Sequence, residues 1–115
     1  MTLPRFGRIL PLQGDVLRLA GYVLSRSASV NVVPESDEER IKIIRSGRTA
    51  LMKRTGKDFG YDLEEWVQFL EMDLDHQDAF KHPYGYGSAM RWVRMAIDDA
   101  NRIRLVSKMT DETRS

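Results

Sequence analysis

The chain has 115 residues, of which 42% are hydrophobic and 30% are charged, a composition typical of one soluble globular domain. It contains no cysteine, which excludes disulfides, thiolate catalysis and zinc–thiolate sites. No apolar run approaches the ~18 residues that a membrane helix needs, and the N-terminus lacks the pattern of a signal peptide. We therefore expect a cytoplasmic protein with no membrane partner.

Charge is distributed unevenly along the chain, although the net charge is only +1. Residues 1–57 carry 11 lysines and arginines against 5 acids, a balance of +6. Residues 58–115 carry 7 against 12, a balance of −5, and the sign changes between Lys57 and Asp58. This segregation favours either ion pairs within the fold or electrostatic docking of a charged partner.

The N-terminal third predicts one helix between two irregular segments. Residues 1–13 should form an irregular arm because prolines and a glycine interrupt them. Asp15 suits the N-cap of a first helix that we expect to end near Arg26. Residues 27–36 should form an extended loop, since they combine valines with a proline. The sequence leaves open whether residues 30–33 form a short strand.

A second helix is predicted from a capping box in which Ser36 is followed three residues later by Glu39. It should run to about Arg54. Gly47 lies within the apolar stripe of this helix, and its small size should allow another helix to approach closely. The opposite arc is basic and consists of Lys42, Arg45, Arg48 and Lys53.

The glycine-containing turn after this helix separates the basic half of the chain from the acidic half. Gly56 should end the second helix in the left-handed conformation that glycine adopts easily. Asp62 and Glu65 form a second capping box, and the third helix should continue to near His76. Helical spacing relates its apolar residues, which are Leu63, Trp66, Val67, Leu70 and Leu74.

The C-terminal third predicts a loop followed by one or two helices. Residues 77–87 contain a proline and two glycines, which favour a loop, and Ser88 should cap a fourth helix. The apolar phase slips after Ala100, which predicts a kink or a short fifth helix over residues 102–108. The polar residues 109–115 should be a frayed tail.

These elements together predict an all-α fold, a compact bundle of four or five helices in a single domain spanning residues 1–115. The helical periodicities also predict which side chains form its core. The predicted core residues are Leu17, Val23, Ile44, Leu51, Leu63, Trp66, Leu70, Trp92, Val93 and Ile97.

Two surfaces have the residue types that bind partners. The loop at residues 82–87 carries Tyr84 and Tyr86 beside His82, and tyrosines on a glycine-rich loop make large amphipathic contacts. The structural alternative is that these tyrosines cover the core. The basic arc of the second helix, with Arg45 and Arg48, could bind acidic proteins or phosphates, or pair with the acidic third helix.

A third group combines carboxylates and imidazoles, the residue types that bind divalent cations. It consists of Asp73, Asp75, His76, Asp78 and His82. The spacing matches no metal-binding motif, and a solvated acidic face accounts for the same residues. We therefore assign no metal, no cofactor and no catalytic residue, and keep Asp75, His76, Asp78 and His82 as the candidates if a metal binds.

The sequence predicts a small helical protein–protein interaction module, of the adaptor or inhibitor type, without catalytic activity of its own. Its partner-binding residues are expected to be Tyr84, Tyr86, His82, Arg45 and Arg48. A homodimer joined through the opposed charged faces is a further possibility. The alternatives are a nucleic-acid-binding accessory protein that uses the basic second helix, and a metal-dependent enzyme around residues 73–82.

Overall fold

The computed structural model describes residues 11–23, 33–83 and 85–114, with side chains through residue 111. Within these ranges every regular element is a helix and there is no strand, which confirms the predicted fold class. The six helices are α1 (Pro11–Leu19), α2 (Asp37–Thr55), α3 (Leu63–Met72), α4 (Gln77–Phe80), α5 (Tyr86–Ile97) and α6 (Ala100–Arg114). Most of the predicted arm and residues 30–32 lie outside the described ranges.

The first helix is the central element, and both of its predicted ends were wrong. α1 begins at Pro11 rather than after residue 13, because proline is well suited to a first helical position, where its missing N–H has no partner to lose. It ends at Leu19 rather than near Arg26. Gly21 has φ +93°, and the amides of Gly21 and Tyr22 bond back to carbonyls of the last turn.

Helix α1 packs against α2, α3, α4 and α5, so nearly every residue of it is buried. Asp15 is therefore not an N-cap. Its side chain is only 2% exposed, with one oxygen 3.0 Å from Arg18 Nη1 and the other bonded by Arg54 of α2. Gln13 donates to the carbonyl of Phe80 at 2.9 Å, which ties α1 to α4.

Two buried arginines satisfy the carbonyls at the C-terminal end of α1. Arg102 of α6 donates from Nε and Nη2 to the carbonyl of Leu19, at 3.2 and 2.9 Å, and from Nη2 to the carbonyl of Tyr61 at 2.8 Å. Arg40 of α2 donates to the carbonyl of Ala20 at 3.2 Å. Cations at this end also face the negative pole of the helix dipole.

Helix α2 begins and ends as predicted, because both ends are fixed by local chemistry. The Ser36 hydroxyl accepts the amide of Glu39 at 3.1 Å, and Gly56 follows the last turn with φ +73°. Gly47 faces the backbone of α1, where a Cβ would lie 2.3 Å from the amide nitrogen of Leu19. The predicted close helix approach is confirmed, and α1 is the helix that approaches.

Helix α3 also begins at its predicted cap, since Asp62 accepts the amide of Glu65 at 3.1 Å. It ends at Met72, earlier than predicted, and Leu74 lies beyond it with 83% of its surface exposed. Trp66 is fully buried and donates from Nε1 to the carbonyl of Gly60 at 2.9 Å, so the preceding turn is fastened to α3.

The C-terminal third contains more helix than the sequence predicts. The short helix α4 lies inside the predicted loop, and α5 begins at Tyr86 rather than after a Ser88 cap. A break follows α5 as predicted, but it lies at Asp98 and Asp99 rather than after Ala100: Asp99 accepts the amide of Asn101 at 3.0 Å and so caps α6. α6 then continues to Arg114, through residues predicted as a frayed tail.

The core matches most of the predicted set. Seven of its members are buried: Leu17, Ile44, Leu51, Leu63, Trp66, Leu70 and Val93. Trp92 and Ile97 are partly buried against this core, whereas Val23 is 38% exposed because α1 has already ended. Phe80 and Leu105 are buried without having been predicted, since the first lies in the unpredicted α4 and the second depends on the redirected α6.

Candidate functional site

An open apolar groove of about 580 Å³ lies between the start of α3 and the outer side of α6, and we call it the α3–α6 groove. It exists because α6, redirected at Asp99, packs against α2 and α5 but not closely against α3. Ile103 is 53% exposed within it. Its apolar lining consists of Phe59, Tyr61, Leu63, Ile97, Ile103 and Val106.

One rim of the groove is acidic and the other is polar but uncharged. Asp62, Glu64 and Glu65 stand on the α3 side and are exposed, while Ser107 and Thr110 stand on the α6 side. None of the ion pairs among the described residues involves these three carboxylates. The groove therefore offers apolar surface beside carboxylates that form no ion pair among the described residues.

Comparison with family models, curated proteins and solved structures found no match. None of the described helices is long and apolar enough to cross a membrane.

Tyr86 and His82 of the loop predicted to bind a partner lie within the described residues. Tyr84 lies outside the described residues. The Tyr86 ring packs edge-on against Phe80 with centroids 5.6 Å apart, and its hydroxyl donates to Glu71. Burial and this carboxylate raise the pKa of Tyr86 to about 12. Tyr86 thus joins α3 to α5, as in the structural alternative, and His82 is half-buried with its carbonyl 3.3 Å from Gln13 Nε2.

Arg48 of the predicted basic surface is committed to the turn that follows its own helix. Its Nε and Nη2 bond the two oxygens of Asp58 at 3.0 and 2.6 Å, and its guanidinium carbon lies 5.0 Å from the Tyr61 ring centroid. Asp58 also accepts the amide of Gly60 at 2.8 Å. Arg45 is exposed on the same helix.

The basic and acidic segments do not pair helix to helix. α2 packs mainly on α1, and its cations reach carboxylates elsewhere: Arg48 bonds Asp58 in the turn, and Arg54 bonds Asp15 of α1. The alternative in which the basic second helix pairs with the acidic third helix is not found among these ion pairs. The exposed carboxylates of α3 are consequently not paired with the cations of α2 and can contact other groups.

Asp58→Asn should make the protein less stable at neutral pH but not in acid. The Arg48 hydrogen bonds hold the pKa of Asp58 below its ordinary value of 3.8. The carboxylate therefore stabilises the fold above that value, and its contribution is lost as the pH falls through the lowered pKa. Since Asp58 is 40% exposed, we expect a loss of about 1 kcal/mol at pH 7.

Urea denaturation of both proteins between pH 7 and pH 2 measures this difference. Asp75→Asn is the control, because Asp75 is an exposed carboxylate without an ion pair among the described residues. A difference between wild type and Asp58→Asn that stays constant with pH, or one that the control reproduces, contradicts the assignment.

The candidate metal ligands do not converge. Among the described residues no three acidic or histidine side chains stand close enough to hold an ion. His76 is occupied at both ring nitrogens, with Nδ1 2.5 Å from Asp73 Oδ2 and Nε2 3.2 Å from the carbonyl of Arg54. These contacts join α2 to the end of α3, while Asp75 and Asp78 are exposed on the surface.

Sequence reasoning missed the groove, although part of its signal is present. Ile103, Val106, Ser107 and Thr110 are related by the spacing of one helical face, which predicts a shared surface once α6 is known to be continuous. The other wall comes from the turn before α3.

Two further apolar side chains, Met72 and Leu74, are 77% and 83% exposed at the far end of α3.

Proposed function

We propose that this protein is a small helical protein–protein interaction module, without catalytic activity of its own, that binds its partner in the α3–α6 groove. The observation that carries the proposal is the apolar lining of a groove that remains open, with Ile103 more than half exposed. Concave apolar surface with a polar rim is the usual character of a protein or peptide binding site.

The contacts of the titratable side chains support a binding role rather than a catalytic one. His76 and Tyr86 bond neighbouring helices, and Arg48 and Asp58 bond each other within a turn. These groups hold the fold together. The lack of any three-residue metal-binding cluster in the described part of the chain weighs in the same direction against a metal-dependent enzyme at residues 73–82.

The nucleic-acid alternative receives less support from the basic helix than its sequence suggests. Arg40 is buried, and Arg48 and Arg54 are paired with Asp58 and Asp15. Fewer cations are therefore available to neutralise phosphates, the main source of affinity for nucleic acids. The exposed carboxylates of α3 would add repulsion on the adjacent surface.

Photo-crosslinking from inside the groove tests the proposed function. With p-benzoylphenylalanine at Ser107, on the α6 rim, we expect one discrete protein adduct in nuclease-treated native lysate. The same group at Lys53, exposed on α2 away from the groove, should not give that adduct. Adding Ile103→Asp should weaken it at least severalfold, because a charge in the apolar lining opposes burial.

A third crosslinker at position 84 compares the groove with the 82–87 loop. An adduct from position 84 but none from Ser107 would move the partner site to the loop and contradict the groove assignment. Equal adducts from Ser107 and Lys53 would indicate non-specific capture. An adduct that disappears with nuclease treatment would favour the nucleic-acid alternative.

A further inference from the structure

We propose that the occupant of the α3–α6 groove is a cationic amphipathic helix, with apolar side chains on the groove lining and lysine or arginine opposite the acidic rim. This inference rests on the proposed interaction function and names the chemistry of the partner. Two features of the groove support it, its length and its charge. The rim charges are also separate from the capping of α3, so they can be changed in an experiment.

The length of the groove suits a short helix. The α6 residues that line it extend from Ile103 to Thr110, about two helical turns or roughly 10 Å. A helix lying in a groove of this length places apolar anchors at positions i, i+3 or i+4, and i+7. The lining is apolar at the Ile103 end and hydroxyl-bearing at Thr110, so the anchors should be concentrated at one end of the partner helix.

The charge of the groove selects a cationic partner. Asp62, Glu64 and Glu65 are exposed along one rim, and no ion pair among the described residues involves them. Arg102 is the cation among the lining residues, but it is only 5% exposed and its guanidinium is bound to the carbonyls of Leu19 and Tyr61. Arg102 attracts the Asp62 carboxylate electrostatically, but Glu64 and Glu65 have no ion pair among the described residues, so the rim repels like-charged partners.

The rim carboxylates can be changed without removing the cap of α3. Asp62 performs the capping, since its Oδ1 accepts the amide of Glu65. The side chains of Glu64 and Glu65 are exposed and take no part in that bond. Charge reversal at Glu64 and Glu65 therefore alters the groove while the bond that starts the helix is retained.

The chain provides a matched control at the other capped helix. Glu38 and Glu39 follow the Ser36 cap of α2 at the same two positions that Glu64 and Glu65 occupy after Asp62. They are exposed and do not line the groove. The double variants Glu64→Lys/Glu65→Lys and Glu38→Lys/Glu39→Lys change the net charge equally. Comparing them therefore distinguishes attraction by the groove rim from attraction by the net charge of the protein.

The test uses a fluorescent peptide of about 14 leucines and lysines, with its leucines on one helical face. Fluorescence anisotropy should show binding to the wild-type protein, and the affinity should fall about tenfold in the groove variant. The α2 variant should retain most of the wild-type affinity. The difference should shrink as salt is added, because the rim is exposed. Circular dichroism confirms that each variant is folded.

Several outcomes would contradict the proposal that the occupant of the groove is a cationic helix. Equal weakening in both double variants would mean attraction by net charge only. Equal binding of a matching leucine–glutamate peptide, lost with Ser107→Trp in the groove, would reject the charge selection while leaving the groove as an interaction site. Self-association of the wild-type protein that the groove variant abolishes, measured by sedimentation, would identify a second copy as the occupant instead.

Failure of the proposed function looks different from failure of this inference. If neither peptide binds and the Ser107 crosslinker yields no adduct, the groove is not an interaction site and both proposals fall. If the crosslinker yields a protein adduct whose contacting segment is acidic or extended, the interaction function stands and the cationic helix is wrong.

Discussion

Gly47→Ala should lower the free energy of unfolding by about 3 kcal/mol or prevent folding altogether. The added Cβ would lie 2.3 Å from the amide nitrogen of Leu19 and 2.8 Å from two other backbone atoms of α1. Backbone atoms cannot rotate away as a side chain can, so α1 and α2 must separate. Because these helices share the most extensive interface of the fold, separation exposes the centre of the core.

The control for this prediction is the same substitution at Gly87. Gly87 is exposed near the start of α5, and a Cβ there meets nothing within 4 Å. Since alanine favours helix over glycine, Gly87→Ala should be neutral or stabilise the protein by up to about 1 kcal/mol. Thermal and urea denaturation measure both variants. Equal stability of Gly47→Ala and wild type would contradict the contact between α1 and α2.

Arg102→Met should cost about 2–4 kcal/mol, although methionine is apolar and the site is buried. The substitution leaves the carbonyls of Leu19 and Tyr61 without this donor, and the bond to the Leu19 carbonyl is buried. Part of that cost is offset, because keeping the positive charge of Arg102 in this buried position is itself unfavourable. Burial, together with the neighbouring Arg40 guanidinium, lowers the pKa of Arg102 to about 10.

Arg104→Met is the matched control for Arg102→Met, two residues further along α6. Arg104 is 57% exposed and pairs with Asp37, which is 52% exposed, so its loss should destabilise the protein much less than the loss of Arg102. Arg102→Lys should be intermediate, since one ammonium cannot reproduce the planar guanidinium contacts. An Arg102→Met variant as stable as Arg104→Met would show that the two carbonyls find other partners.

The features that sequence predicted well depend on residues close together in the chain. The caps at Ser36 and Asp62 and the end at Gly56 each involve a few neighbouring residues, so their chemistry is visible in the sequence. Local rules failed where two of them compete. Pro11 was interpreted as a helix breaker although it is equally suited to starting a helix, and Gly21 was not recognised as a helix end.

The candidate site was beyond prediction because it depends on distant elements. The α3–α6 groove requires the direction that α6 takes after Asp99, and no periodicity encodes that direction. The buried Arg40 and Arg102 contradict the usual placement of arginine on the surface. Their burial follows only once the C-terminal end of α1 is known to lie inside the protein.

The burial of α1 among later helices imposes an order on folding during synthesis. The carbonyl of Leu19 accepts a hydrogen bond from Arg102, which lies 83 residues further along the chain. Gln13 likewise donates to the carbonyl of Phe80, 67 residues further along. A partly synthesised chain can form α1 and pack α2 beside it, but it cannot satisfy these groups. Cooperative folding of these helices therefore completes only after α6 has left the ribosome.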